Sequence, residues 1–420
     1  LDIAGNLTIS GSITINNGQR FILGSSGAVA NTTATGPIDI NSSSNSHGAF
    51  YNYGSWTSNG PNGKISYNRF IANLSTWDLI GSPVSNLSIS SFVTTETDLA
   101  SGGGSGNNQY AIGTYTNTSA AHPGNTWLNY TTASGSNDVA SAGNFEPGKG
   151  YQMAASGSAA GQGKEVSFAG SPNTGSVTEP VINSETGGSG DNDHSNGTKF
   201  NLVSNPYPSY LSVASFISGN SSVLHASHQA VYGWDGSNYD TYNNATGGYI
   251  APAQGFMIGA QSSSSTNLTF TTSMQSTGNS SMDDFISGDI IDDRAELFIS
   301  FNQNDLEDRT RFYFLDNTTD GLDISYDAAV IGFGNNMIYS RLLQDDEGYA
   351  IDIQALAYSE MWDKVIPLGI NALGGEEMTI GISHRTTPAD LNIYLEDAEE
   401  GTMTNLLEGD FVYTPTSDLS

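Results

Sequence analysis

Residues 201–216 read NLVSNPYPSYLSVASF, and residues 78–92 read DLIGSPVSNLSISSF. Each phrase passes from a short apolar run to a proline, and then through a serine-rich stretch to a phenylalanine. Proline has no N–H group to donate to a strand ladder, so Pro83 and Pro206 are expected where a strand leaves its sheet. The repetition predicts that the chain contains one structural unit twice.

The likeness extends well beyond the two phrases, because later landmarks follow in the same order in both copies. The matched stretches are 110–115 with 230–234, 125–130 with 237–242, 145–153 with 250–258, and 166–168 with 268–270. Each is short, apolar or aromatic, and close to Gly, Ser or Asn, a pattern typical of β-strands. Two copies of one all-β unit, about 65–175 and 198–275, explain this order.

The composition favours the same fold class. The chain has 420 residues, 49 of them Gly, and only 13% are charged, which suits many short strands joined by tight turns. We predict an all-β protein of tandem antiparallel β-sandwich domains, jelly-roll or immunoglobulin-like, after an N-terminal β-strand segment. The predicted domains are 1–62 (N-terminal β segment), 63–175 (first sandwich repeat), 176–197 (linker), 198–282 (second sandwich repeat) and 283–420 (acidic C-terminal sandwich, expected to lack its last strand or strands).

The N-terminal segment alternates regularly between apolar and polar residues. Its apolar residues of one parity are Leu7, Ile9, Ile13 and Ile15, and the turn signal Asn-Asn-Gly at 16–18 predicts a hairpin or a sheet edge. These four residues are also a candidate donor strand for a neighbouring molecule. The C-terminal sandwich, which stops soon after its last predicted strand, is the expected acceptor.

The charge balance excludes two classes of partner. Lys and Arg total 12 against 43 Asp and Glu, which gives a net charge of −31. This field repels nucleic acid and anionic membrane surfaces, so neither is expected as a partner. Residues 1–282 hold 14 acidic and 6 basic residues, whereas residues 283–420 hold 29 and 6. The shift predicts a domain boundary at 281–284.

The sequence also bears on the location of the protein. It has no Cys, so it has no disulfide framework and no zinc–thiolate site. No apolar run approaches the roughly 18 residues of a membrane-spanning helix, so membrane insertion is not expected. Residues 1–15 lack the basic and apolar regions of a signal peptide. We interpret the chain as a mature or trimmed form of an exported precursor, located outside the cell or on its outer surface.

One acidic stretch has the pattern of a cation-binding loop. Residues 316–327, DNTTDGLDISYD, place oxygen-bearing side chains at loop positions 1, 3, 5 and 12, with Gly at position 6. Calcium prefers such clusters of oxygen ligands at a sharp turn. The candidate ligands are Asp316, Thr318, Asp320, Asp323 and Asp327, with Asp305 and Asp308 expected across a hairpin. The alternative is a solvated acidic turn. Calcium is the only cofactor that the sequence predicts.

Aromatic residues recur at the landmarks of the repeat. The candidates for a glycan-stacking platform are Trp77, Tyr207, Tyr210, Trp234 and Tyr239, because the C–H faces of sugars pack on aromatic rings. The alternative is that these rings fix the corners of the β units. Equivalent positions in both copies keep aromatic or apolar character, which favours this structural role.

No catalytic motif is recognisable. The six His are scattered, and the sequence has no zinc-protease motif, no nucleophile elbow on a strand-to-helix turn and no phosphate-binding loop. Two of the 43 acidic residues could converge as glycosidase carboxylates, but the repeated units contain few acids. We therefore do not expect an enzyme.

Several phrases carry a resemblance to a known group. They are GKISYNRFI (63–71), WDLIGSPVS (77–85), FNLVSNPYPSYL (200–211), GGYIAPAQGFMI (247–258) and RTRFYFLDNTTDGLDISYDA (309–328). In these, the chain resembles large secreted Bacteroidetes surface proteins that carry type IX secretion sorting domains. The resemblance implies export and a further C-terminal β-sandwich, which is not among these 420 residues. It implies no catalytic residues.

These observations lead to three hypotheses. The favoured one is an extracellular structural or adhesive cell-surface protein that self-assembles into a filament or surface layer by β-strand complementation. Its partners would be further copies of itself or other cell-surface components. The second is a glycan-binding adhesin module that uses the aromatic residues. The third, which the sequence favours least, is a secreted enzyme that degrades polysaccharides or peptides.

Overall fold

The computed structural model describes residues 1–5, 7–9, 12–25, 28–31, 38–58, 64–103, 107–118, 126–135, 137–157, 163–186, 197–277, 294–332 and 334–420. These residues form an all-β protein with two short α-helices, which confirms the predicted fold class. Unit 1 comprises Leu1–His225, Val231–Tyr242 and Gly247–Asp289, and unit 2 comprises Ala226–Ala230, Asn243–Thr246 and Ile290–Ser420. The predicted boundary at 281–284 lies outside the described residues.

The first part of unit 1 is a coil of parallel strands. Its strands are β1 (Asp2–Ile3), β2 (Leu7–Ile9), β3 (Ile13–Ile15), β4 (Arg20–Leu23), β5 (Ala28–Asn31), β6 (Ile38–Ser43), β7 (Ser46–His47), β8 (Ala49–Asn52), β9 (Ser55–Ser58) and β10 (Ile65–Ile71). The parallel rows are β1–β4–β8, β2–β5–β9 and β3–β6–β10. The chain thus winds through three coils of a parallel β-solenoid.

Apolar side chains stack along the inside of the solenoid. Ile13 pairs with Ile38, which pairs in turn with Ile65, and the latter two are fully buried. The rings of Phe21 and Phe50, on adjacent coils, stack with centroids 5.3 Å apart. Burial of these ladders supplies the hydrophobic driving force for the coil.

Of the two alternatives predicted for the N-terminal segment, the hairpin is wrong, whereas β3 does lie at the edge of its sheet. The turn exists, because the Gln19 N–H donates to the Asn16 carbonyl at 3.0 Å and Gly18 has a φ of +72°. However, β3 and β4 on its two sides belong to different sheets, so the turn is a corner of the coil. Alternation of apolar residues identifies the buried face of a strand, but it does not identify the neighbouring strand.

The two repeats follow the solenoid. The first contains β11 (Asp78–Ile80), β12 (Val84–Ser85), α1 (Ile89–Thr95), β13 (Ser101–Gly102), β14 (Gln109–Tyr115), β15 (Trp127–Thr131), β16 (Tyr151–Met153) and β17 (Lys164–Pro172). The second contains β18 (Val177–Val181), β19 (Phe200–Ser204), β20 (Leu211–Ser212), α2 (Val213–Gly219), β21 (Val231–Trp234), β22 (Tyr239–Tyr242), β23 (Tyr249–Ile250), β24 (Gly255–Gly259) and β25 (Thr266–Phe270). Single 3-10 turns lie at Val139–Ser141, Ala226–His228 and Thr272–Met274.

The repeats have the same strand order. In the first, β11, β16, β14 and β15 are neighbours in that order, and in the second β19, β24, β21 and β22 take the same places. The helices correspond as well, since Ser88 caps α1 by accepting the Ser91 N–H and Ser212 caps α2 by accepting the Ser215 N–H. The serine-rich part of the repeated phrase thus encodes a short capped helix.

The predicted linker, 176–197, is wrong over its first residues. Strand β18 pairs antiparallel with β25, as β10 pairs with β17 in the first repeat, so the second repeat begins at Val177 instead of residue 198. Pro180 lies within β18, which a two-stranded sheet tolerates because one edge of the strand needs no donors. The predicted boundary after residue 62 falls in residues 59–63, which are not among the described residues. The next strand, β10, pairs with both the solenoid and the first repeat, so the two share one sheet.

The two repeats pack on each other through equivalent residues. Ile80 bridges to Gln254, and the exchanged pair, Val203 and Lys149, also forms a bridge. The bridging residue is Lys149 in the 145–153 phrase and Gln254 in the 250–258 phrase. The glycine that follows each of them faces the other repeat. A Cβ on Gly255 would lie 2.5 Å from the Ile80 nitrogen.

Gly150 occupies the matching place in the first repeat. A Cβ there would lie 2.8 Å from the Val203 carbonyl oxygen and would overlap the Leu202 side chain. Both phrases contain the motif Pro-x-x-Gly-aromatic, at 147–151 and 252–256. The close approach of two backbones, which only glycine permits, explains its repetition.

Unit 2 contains one large sheet. Its strands are β26 (Ala295–Gln303), β27 (Leu306–Leu315), β28 (Ala328–Ala329), β29 (Met337–Ser340), β30 (Ile351–Ala357), β31 (Leu368–Asn371), β32 (Met378–Arg385), β33 (Tyr394–Asp397), β34 (Thr402–Asn405) and β35 (Phe411–Tyr413), with a 3-10 turn at Tyr358–Asp363. The sheet order is β31-β29-β30-β27-β26-β32-β35, with β28 beside β30, and β33–β34 forms a separate hairpin. Within this sheet only β27 and β30 are parallel. In the described part of the chain, no helix is long and apolar enough to span a membrane.

We expect Gly255→Ala to lower the free energy of unfolding of the protein by about 3 kcal/mol, since the added methyl group must displace backbone atoms of β11. Gly150→Ala should have a similar effect. Gly102→Ala is the matched control, because a Cβ at this strand residue meets no atom within 4 Å. Urea unfolding followed by circular dichroism measures all three. Equal stability of Gly255→Ala and the control would contradict the packing role.

Candidate functional site

The first coil of the solenoid leaves three strand edges open. In the part of the chain that the structure describes, β1, β2 and β3 each pair with a strand of the second coil and lie at the end of their sheets. Leu1 is 69% exposed, and Ile3 and Ile13 are partly exposed. Unpaired N–H and C=O groups of an edge strand can pair with another chain. We call β1, β2 and β3 the coil-end surface.

The structure changes the role of the predicted donor strand. Ile13 and Ile15 lie in β3 and pair with Ile38 and Ile40 of the same chain. Leu7 and Ile9 are the first and last residues of β2, which pairs with β5. Their side chains are not described. A donor strand must be free of its own fold, so this prediction is wrong. The same strands, paired on one side, could instead accept a strand.

The candidate calcium ligands do not converge. Asp320 accepts a hydrogen bond from Lys364 Nζ at 2.6 Å, and Asp323 accepts one from the Thr319 N–H at 2.6 Å. Asp305 and Asp316 are exposed. Thr318 donates a hydrogen bond to the Leu315 carbonyl, and Asp308 accepts one from the Ile338 N–H. No group of three or more His, Cys, Asp or Glu that could hold a metal ion occurs among the described residues.

Asp327 has a structural role that the sequence pattern did not reveal. Its carboxylate is fully buried and accepts the backbone N–H groups of Ala355 and Asp323, each at 2.6 Å. Burial raises the pKa of Asp327 to about 7, although the two N–H groups lower it. Each oxygen of this carboxylate thus already accepts a backbone N–H group of the same chain.

The aromatic candidates divide into two sets. Tyr207 is fully buried, and its hydroxyl donates to the carbonyls of Gly175 at 2.6 Å and Phe270 at 3.0 Å. Tyr210 is buried as well. These two tyrosines belong to the interior, so the prediction that they form a glycan platform is wrong.

The other three aromatic candidates are half-buried, and two of them, Trp234 and Tyr239, are in ring contact. Trp234 Nε1 donates to the Thr76 carbonyl at 2.8 Å, beside Trp77 in the chain. The Trp234 and Tyr239 rings are 5.1 Å apart. Sequence reasoning missed the equivalent pair in the first repeat, Tyr115 and Trp127, whose rings are 4.9 Å apart. The repeat itself was the signal, because the strand ending at Tyr115 matches the strand ending at Trp234.

Unit 2 has an apolar cavity of about 140 Å³ on one face of its sheet. Its floor includes Leu297 and Phe312, and its rim includes Trp362 and Tyr394. These rim residues are 48% and 52% exposed, respectively. The cavity lies between β26–β27 and the β33 segment. No sequence pattern predicted it, because its walls come from five separate stretches of chain.

The strand arrangement defines a class of protein, an all-β protein in which a parallel solenoid adjoins a duplicated β unit. The chain belongs to the family described as Domain of unknown function (DUF8693), whose model matches residues 2–246 and again residues 225–419. Comparison with curated proteins gave no match, and comparison with solved structures gave none either.

We expect Asp327→Ala to destabilise unit 2 by about 3 kcal/mol, because two buried N–H groups lose their acceptor. Asp316→Ala, at an exposed carboxylate of the same loop, should change stability by less than about 0.5 kcal/mol. Thermal unfolding with and without EDTA measures both. The loss should appear under both conditions, and a loss seen only with calcium present would instead support a metal site.

Proposed function

We propose that this protein is an extracellular structural or adhesive protein of the outer cell surface that self-assembles through edge strands. The observation that carries the proposal is the coil-end surface, where β1, β2 and β3 each pair with one neighbouring strand among the residues that the structure describes. Natural proteins usually cover or charge such edges, because an open edge recruits further strands. The open edge is thus the feature of unit 1 best suited to association.

The charge and composition bear on the partners and the location of the protein. A net charge of −31 disfavours nucleic acid and anionic membranes as partners. The Ser-, Thr- and Asn-rich, Lys-poor composition and the resemblance to secreted Bacteroidetes proteins support an exported location. Filaments and surface layers are the assemblies that such a subunit would form.

The edge proposal predicts that charge placed on β3 blocks assembly. Ser12 and Thr14 are exposed at this edge, and like charges opposed across a strand pair are destabilising. We expect Ser12→Glu/Thr14→Glu to reduce assembly at least tenfold, measured by light scattering and electron microscopy of concentrated protein.

The matched control is Ser176→Glu/Ser417→Glu, which adds the same charge at two exposed residues that are not part of β1, β2 or β3. This control should assemble as the wild type does, and circular dichroism should show that both variants are folded. If the two double variants assemble equally, the edge does not carry the association.

A second candidate function, glycan binding by an adhesin module, rests on the aromatic pairs of the repeats. Trp234 and Tyr239 are half-buried, so parts of both rings face solvent. If sugars stack there, Trp234→Ala should lose at least tenfold of the glycan-array signal. Trp362→Ala, at an exposed tryptophan of unit 2, is the control and should keep it. An array without signal for the wild-type protein would exclude this function.

A further inference from the structure

The cavity of unit 2 has an apolar floor and apolar walls. Leu297 of β26 and Phe312 of β27 are directly opposite each other in the strand pair and form part of the floor. Of the fifteen described residues that line the cavity, eleven are Leu, Ile, Phe or Met. A polar group placed among these side chains would lose its hydrogen bonds to water without replacement. The part of a ligand that enters the cavity must therefore be apolar.

The charge in the lining is already balanced. Among the described lining residues, Lys364 is the one charged side chain, and its Nζ donates to Asp320 and to Glu360, each at 2.6 Å. An anionic ligand would have to displace one of these carboxylates. A cationic ligand would have to leave water for an apolar floor. The lining therefore favours an uncharged ligand.

The size of the cavity limits this ligand to one ring. Its volume is about 140 Å³, close to that of an engineered cavity of roughly 150 Å³, lined by Leu, Ile and Phe, that binds benzene. Four aromatic residues line it, namely Phe312, Phe314, Trp362 and Tyr394. Aromatic rings gain from edge-to-face contacts with further rings, so this lining favours an aromatic ring over a saturated one.

We propose that the cavity of unit 2 binds a free, uncharged compound with a single aromatic ring, such as a phenol or a benzyl alcohol. The ring lies on Leu297 and Phe312, where its burial supplies the affinity. The neutral hydroxyl group lies at the mouth, beside Trp362 and Tyr394, which are 48% and 52% exposed. The site uses no residue of β1, β2 or β3 and goes beyond the proposed function.

Titration of the full chain with benzyl alcohol tests the site. Trp362 is the only tryptophan of residues 283–420, so the difference between the fluorescence of the wild type and that of Trp362→Phe reports on the mouth of the cavity. We expect a saturable change with a half-saturation of about 1 mM, which is a modest affinity for so small a ligand. Benzoate, which adds a negative charge to the same ring, should bind at least tenfold more weakly in isothermal titration calorimetry.

Two substitutions fill the cavity. Leu297→Phe adds a ring from the floor, and Leu391→Phe adds one from a wall, so each should weaken the binding of benzyl alcohol at least tenfold. Val365→Phe is the matched control, because Val365 is 74% exposed and is not a lining residue. It should bind as the wild type does, and circular dichroism should show that the variants are folded.

Three results would overturn the proposal. They are the absence of saturable binding to the wild type, tighter binding of benzoate than of benzyl alcohol, and equal binding by the control and by a folded filled variant. Self-assembly is measured separately, by light scattering, so failure of ligand binding and failure of assembly are distinguishable.

Discussion

The arrangement of unit 1 depends on the close contact of two backbones at Gly150 and Gly255. Gly255 begins β24 and Gly150 directly precedes β16, and each faces the bridging strand of the other repeat. A side chain at either place would separate the repeats, and with them the buried residues on both sides. This steric limit explains why the same short motif occurs twice, because each repeat supplies the glycine that the other requires.

The first repeat also carries the solenoid, since β10 is both a strand of the third coil and the partner of β17. The parallel row β3–β6–β10 adjoins the antiparallel pair of β10 and β17. The solenoid extends from this pair over three coils. One end of the solenoid is therefore fixed by the repeats, and the other end holds β1, β2 and β3. Among the described residues, β1, β2 and β3 have no further strand beside them, and the proposed association uses these edges.

The acidic loop of unit 2 shows that a spacing typical of a cation-binding loop can serve another structural role. The spacing of oxygen side chains in residues 316–327 fits a cation loop, but Asp323 and Asp327 accept backbone N–H groups and Asp320 pairs with Lys364. Carboxylates prefer any nearby donor, whether a metal ion, an ammonium group or an amide. The local sequence shows the acceptors, but two of their donors, Ala355 and Lys364, come from distant parts of the chain.

The sequence by itself determined the fold class, the duplicated unit and the polar boundaries of its strands, because periodicity and turn residues act over a few neighbouring positions. The phrases at 78–92 and 201–216 even specify a capped helix, since the Ser cap and the residues that it caps are adjacent. The tertiary structure alone decided that the N-terminal strands are parallel, that β18 opens the second repeat and that Tyr207 is buried while Trp234 is half-exposed. Each of these depends on which distant strand becomes the neighbour, and alternation gives the face of a strand without naming its partner.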